Sequence, residues 1–262
     1  MNYGFNIGAA GVIAAMHRQD VAANNLANIQ TVGYKPDASF TIPRQAARQE
    51  DGLMNLPSNA LLERLGAGVL LAPNRTSFTQ GSITQTRNPF DLAIQGDGFL
   101  TVSGGGDSAS GGDALRLTRD GRLTLDTRGR LVTVTDGHEV LDDAGRPITL
   151  SPGADFTVQT DGSVTQDGQE VAKLGFMDVP NRDVLKKLGN NLFSLSGAAA
   201  ASRVPATGKV LQYAVEESGV DPIKAMMAVQ SAANDVGTTA KIMQIHDDLM
   251  SRAINTLGRV TA

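Results

Sequence analysis

Two stretches at opposite ends of the chain place their apolar residues with the same spacing. Phe5, Ala9, Val12, Met16, Gln19, Ala23 and Leu26 follow alternating steps of four and three. That is the seam of a helix packed on another helix, interrupted in character only at Gln19. Near the other end Ala225, Val229, Ala232, Val236, Thr239, Met243, His246, Met250, Ala253, Leu257 and Val260 keep the same alternation. Large residues alternate with small ones along this second seam, which lets helices approach closely and interlock. Asp221 can cap the free N–H groups and Pro222 suits a first helical turn, so the spacing predicts a helix of about 40 residues, ~60 Å long.

The middle of the chain changes period. Asp-Gly recurs at Asp97-Gly98, Asp120-Gly121, Asp136-Gly137, Asp161-Gly162 and Asp167-Gly168, between short runs such as Leu131-Val132-Thr133-Val134 and Phe156-Thr157-Val158. Asp-Gly accepts the positive backbone angles of tight turns, so this pattern predicts an antiparallel all-β body. Residues 104–113, GGGDSASGGD, read as a flexible hairpin tip. Residues 37–77, with Pro36, Pro43, Pro57 and Pro73 at or near their margins and no sustained period, read as an extended irregular segment. The fold expected is α+β: long N- and C-terminal helices in a coiled-coil-like layer, with a central antiparallel β domain. Its parts are 1–36 with 219–262, the irregular 37–77, and the β-rich 78–218.

Composition narrows the function. The 262 residues hold no cysteine, which excludes a disulfide scaffold and a thiol nucleophile. Net charge is −4, and nothing resembles the basic stripe that nucleic acid demands. The two helical zones are internally balanced: Arg18 and Lys35 face Asp20 and Asp37, and four cations face four aspartates beyond residue 220. The negative excess therefore sits in the middle, and the helices offer neutral surfaces suited to partner helices rather than to a membrane. No stretch of about 18 uncharged apolar residues is present to span a bilayer. Ile7 to Met16 imitates the apolar part of a secretory signal but lacks the positively charged start, so no cleaved signal is expected.

The search for chemistry yields turns. His17, His138 and His246 stand far apart, and no two of them share a helical ligand spacing. His246 lies on the seam, where a polar residue fixes register. Gly96-Asp97-Gly98 follows a strand-like run with no helix after it, so it fails as a phosphate cradle. Asp142-Asp143-Ala144-Gly145 and the glycine-rich tip lack the alternating oxygens of a calcium loop. No nucleophile elbow is visible. No catalytic residue, cofactor or metal is assigned, and the chain is not expected to be an enzyme. What remains is surplus apolar surface: Ile13, Val21 and Ile29 beside the first seam, and Met226, Ile242, Leu249 and Ile254 beside the second. A two-helix pair buries one stripe per helix, so the excess points to other copies of the chain. The competing reading is a soluble β-domain adaptor with an intramolecular helical hairpin.

Ala22-Ala23-Asn24-Asn25-Leu26-Ala27-Asn28, followed by Thr31, Gly33, Tyr34 and Lys35, resembles the N-terminal signature of bacterial flagellar rod and hook proteins. Three further blocks are similar to that family in order: Asp91 to Phe99; Thr118-Arg119-Asp120-Gly121 with Asp126, Gly129 and Leu131 to Thr133; and Gly189, Asn191, Leu192 and Phe193. A last block, Gly208, Leu211, Gln212, Glu216, Ser218 and Val220, precedes the long helix, with Tyr213 and Gly219 where the family usually has Gly and Asn. Ala233-Asn234-Asp235-Val236-Gly237 departs from the family's usual Gln-Arg-x-Tyr-Glu run. The resemblance implies a structural subunit of the basal-body rod, most like the distal rod member, with a proximal rod paralogue or hook-type subunit as alternatives. It implies export without a cleaved signal through the flagellar export apparatus, and helical polymerisation into a hollow shaft. The partners implied are copies of itself, other rod and hook subunits, and the rings around the rod. Ala23, Asn24, Asn25, Leu26, Ala27 and Asn28 on the first helix, and Val229, Val236, Met243, Met250 and Leu257 on the last, are the candidate assembly residues.

Overall fold

The computed structural model describes residues 3–46, 49, 66–104, 115–151, 153–195 and 203–257. These form two compact units: one of residues 1–27, 37–75 and 221–262, the other of residues 28–36 and 76–220.

The first unit is built on two helices. Helix α1 spans Tyr3–Ala27 and helix α2 spans Pro222–Leu257, 25 and 36 residues respectively. The Asp221 cap forms as the sequence predicts, its Oδ1 accepting from the N–H groups of Ile223 (3.0 Å) and Lys224 (3.2 Å). Helix α1 ends at Ala27, and residues 28–36, expected with the terminal helical part, group with the other unit. The segment expected to be irregular carries two strands, Asp37–Pro43 and Val69–Thr76, which pair as a ribbon. Alternating β-branched and aromatic residues such as Phe40, Thr41 and Ile42 give the first of these its strand character despite the flanking prolines. Asn25 fixes where the ribbon starts, donating to the Asp37 carbonyl (2.7 Å) and accepting from its N–H (3.0 Å).

The second unit is antiparallel throughout its paired strands. Its largest sheet has six strands in the order Leu185–Gly189, Leu192–Leu195, Arg116–Thr118, Phe99–Val102, Phe176–Asp178 and Val204–Pro205. Asp167-Gly168 closes a two-residue hairpin, with φ of 54° and 79° and Gln166 opposite Gln169. Asp97-Gly98 and Asp120-Gly121 do not make hairpins. The strand before each lies in a different sheet from the strand after it. At Gly121 the reason is a close approach: a Cβ there would lie 1.6 Å from the Leu92 carbonyl oxygen. Of the glycine-rich tip at 104–113, all but Gly104 lies outside the described residues.

Few aromatics suffice because they are concentrated. One core gathers Leu92, Leu100, Val102, Leu131, Val140 and Ile148 with their neighbours, capped by the Phe90 and Phe156 rings 4.8 Å apart. A second, smaller core contains Phe99, Leu117, Val179, Leu185 and Phe193. Phe78, Phe99 and Phe193 form a three-ring cluster there, with centroids 5.4–5.8 Å apart.

Candidate assembly surface

Helices α1 and α2 pack on each other within the chain, running antiparallel. On α2 the expected seam faces inward as far as His246: Ala225 and Ala232 are buried, and Val229, Val236, Thr239, Met243 and His246 are half-buried, whereas Met250 and Ala253 are exposed. On α1 the seam has the expected steps but lies one residue earlier. Gly4 lies against the His246 ring, Gly8 against Met243 and Gly11 against Thr239; Cβ atoms on these glycines would come within 2.6, 2.8 and 3.2 Å of them. Ala15 and Ala22 continue the line and are buried, and Arg18 pairs with Asp235 at 2.7 Å. The physical reason is closeness. A helix that touches its partner through glycine and alanine brings the backbones together, whereas Phe5 and Met16 at the contact would hold them apart. Phe5, Ile13 and Met16 are consequently exposed.

The outer side of α2 is apolar too. Ile223, Met226, Met227, Ile242, Ile245 and Leu249 are all at least half exposed, Ile223 at 71%. Of the candidate assembly residues, Ala23, Asn24, Ala27 and Met250 are exposed, and Leu26 is half-buried. Asn25 is engaged with Asp37, and Asn28 accepts from the Thr31 hydroxyl (3.1 Å). Val229, Val236 and Met243 lie on the inward side of α2. Leu257 ends the helix; its side chain, and Val260, lie outside the described residues.

A second constellation, in the β unit, was not assigned from sequence. Residues 31–36 thread into the body and bury Tyr34 and Lys35. Lys35 Nζ donates to Glu216 Oε1 (2.5 Å) and to the Thr79 carbonyl (2.9 Å). Arg119 Nη1 donates to Glu216 Oε2 (3.1 Å), and its Nη2 to the Gly96 carbonyl (2.9 Å), while the guanidinium sits over the Phe99 ring. All three charged side chains are 2% exposed or less. Burial pulls the Lys35 ammonium below the ordinary lysine range; Glu216 offsets this in part, and Arg119 and Arg182 add to it. No local pattern announces such a site, since its members lie up to 181 residues apart.

The suspected calcium loop from Asp142 to Gly145 is a turn, with the Gly145 N–H donating to the Asp142 carbonyl. Both oxygens of Asp142 are taken by Arg146 through its backbone N–H, Nε and Nη2. Asp126 is used in the same way by Arg128 and Arg130. Among the described residues no group of three or more His, Asp or Glu side chains is arranged to hold a metal. Among them, too, no helix is long and apolar enough to cross a membrane.

Residues 5–35 match the family described as flagella basal body rod protein, and residues 93–166 the flagellar hook protein FlgE/F/G D1 domain. The flagellar basal-body rod protein FlgG of Agrobacterium fabrum is 31% identical over 94% of this chain and 95% of its own length. FlgF of Caulobacter vibrioides is 31% identical over 99% and 100%, and FlgG of Bacillus subtilis 31% over 95% and 96%. The chain belongs to the flagellar basal-body rod family. The rod signature thus divides between two jobs: Ala22 to Asn28 ends a helix, whereas Gly33 to Lys35 is built into the β unit. The departure at Tyr213 also acquires a reason to matter. Its φ is 61°, the left-handed region that a glycine adopts without strain.

Proposed function

We propose that this rod-family chain is a structural subunit that polymerises helically, with copies of itself and with neighbouring rod and hook subunits, into a hollow torque-bearing shaft. The paired helices form a coiled-coil-like inner layer and the β unit the outer one. Export proceeds through the flagellar apparatus without a cleaved signal, and the assembled rod crosses the periplasm inside its rings. The distal rod member is favoured, on the single β body and the long segment between the signature and that body.

The observation that carries this reading is the apolar outer side of α2, from Ile223 to Leu249, on a helix whose inward side is occupied by α1 as far as His246. Covering such a stripe is worth ~25 cal/mol per Å² of apolar surface, and subunits of the same kind are the partners the family supplies. Ile242→Asp combined with Leu249→Asp places two carboxylates on that side without touching the α1 seam. Purified protein should keep its helix content by circular dichroism, while complemented cells should lose rods and motility. Normal rods would sink the assignment of this face. Electron microscopy of basal bodies from cells lacking the gene separates the distal from the proximal reading by where the rod stops.

A further inference from the structure

Two chain segments join the β unit to the terminal helices, residues 28–36 and 214–220, and each is hydrogen-bonded to the other inside that unit. The Gly33 N–H donates to the Glu216 carbonyl (2.7 Å), and the Gly219 N–H donates to the Tyr34 carbonyl (2.9 Å). The Glu216 carboxylate then ties both to the body, holding Lys35 and Arg119 and accepting from the Gly81 N–H (2.9 Å). From the neighbouring hairpin Lys187 Nζ donates to the Lys35 carbonyl (2.6 Å) and Asn191 Nδ2 to the Val32 carbonyl (2.7 Å).

A buried carboxylate between two buried cations tolerates no partial state. Were 214–220 to leave alone, Lys35 and Arg119 would stay buried without their anion. Were 31–35 to leave alone, Glu216 would keep Arg119 but lose Lys35, its carbonyl would lose the Gly33 donor, and Asn191 Nδ2 would lose the Val32 carbonyl. The first half-open form leaves two buried cations without an anion, and the second strips buried polar groups of their hydrogen bonds, so each is costly.

We propose that the Lys35–Glu216–Arg119 triad is a two-segment lock, through which the segments leading to α1 and α2 open together or not at all. Load on either segment must then break both. The lock also closes late, because Lys35 and Glu216 are 181 residues apart and the whole body must be present first. This inference rests on the β unit alone and stands whatever face the helices use in assembly.

Native-state hydrogen exchange on the full-length chain in low urea tests it, read at the Gly33, Gly81 and Gly219 amides and at the core amides of Leu131, Val140 and Leu174. The expected result is one shared opening constant and one urea slope for the three glycines, with opening at least about tenfold more frequent than in the core. Glu216→Gln should raise all three by the same factor, on the order of 100-fold, and leave the core amides unchanged. Different slopes for Gly33 and Gly219 in the unaltered chain overturn the lock, as does opening of one segment alone in the variant. Merging of the glycines with the core amides would overturn it as a separate opening unit. Should Glu216→Gln fail to fold, the unaltered chain decides.

Discussion

Gly33 and Gly137 provide a matched pair in one molecule. Both have φ of +69°, yet a Cβ on Gly33 would lie 2.4 Å from the Arg119 carbonyl oxygen, while one on Gly137 would meet nothing within 4 Å. Alanine at either site incurs the left-handed penalty of roughly 1–2 kcal/mol. It recovers about 0.4–1 kcal/mol by restricting the unfolded chain. Gly137→Ala should therefore cost about 1 kcal/mol. At Gly33 the obstructing atoms are main chain, and Arg119 cannot retreat without pulling its guanidinium from Glu216 and the Gly96 carbonyl. The threaded segment must move instead, disturbing a buried ion pair whose disruption typically costs ~3–5 kcal/mol. Gly33→Ala is then expected to lose about 3–5 kcal/mol, a large share of the usual ~5–15 kcal/mol of a domain. Urea denaturation of the full chain followed by far-ultraviolet circular dichroism compares the two directly. Equal losses within about 0.5 kcal/mol would refute the close-approach argument.

Other expectations follow from the same geometry. Because the chain has no cysteine, Gly8→Cys with Met243→Cys should oxidise readily to a disulfide. Ala9→Cys with Met243→Cys, the pairing that the sequence-derived seam implies, should not, and the reverse order of rates would restore that seam. Limited proteolysis should leave a core that begins before Gly33; a core that starts after Lys35 and remains stable would contradict the threaded segment. Acid should destabilise the chain, because Asp126, Asp142, Asp161, Glu217 and Asp221 are all held below the ordinary carboxylate range, chiefly by hydrogen bonds to the ionised form that, at Asp142, outweigh burial. For lowered carboxylates the stabilisation is present above the unfolded value near ~4 and is lost as pH falls through the folded values. Melting temperature should thus be flat near neutrality and fall below about pH 4; no change down to pH 2 would count against those contacts.

Local chemistry was legible along the chain. The Asp221 cap, the Asp167-Gly168 hairpin and the inward side of α2 as far as His246 lie where short-range pattern puts them, because each is decided by residues within one or two turns of one another. Asp97-Gly98 and Asp120-Gly121 share the pattern but connect strands of different sheets, for the complementary reason. Asp-Gly specifies a backbone angle, and whether the next strand returns to the last one depends on the rest of the sheet.

The two helices separate what each level settles. Steps of four and three fixed that α1 and α2 would pack on something, since that period is a property of the helix itself. The phase was another matter. Apolar size singled out Phe5 and Met16, but a close partner selected Gly4, Gly8, Gly11 and Ala15, and only the presence of Thr239, Met243 and His246 opposite could say so. The triad carries the point furthest. Lys35, Arg119 and Glu216 are ordinary surface-type residues in the sequence, and their burial depends on three distant segments arriving at one place. Sequence alone determined the periods, the turns and the family. Tertiary structure decided which side of each helix was used up and which charges went inside, because both depend on atoms that are neighbours only once the chain has folded.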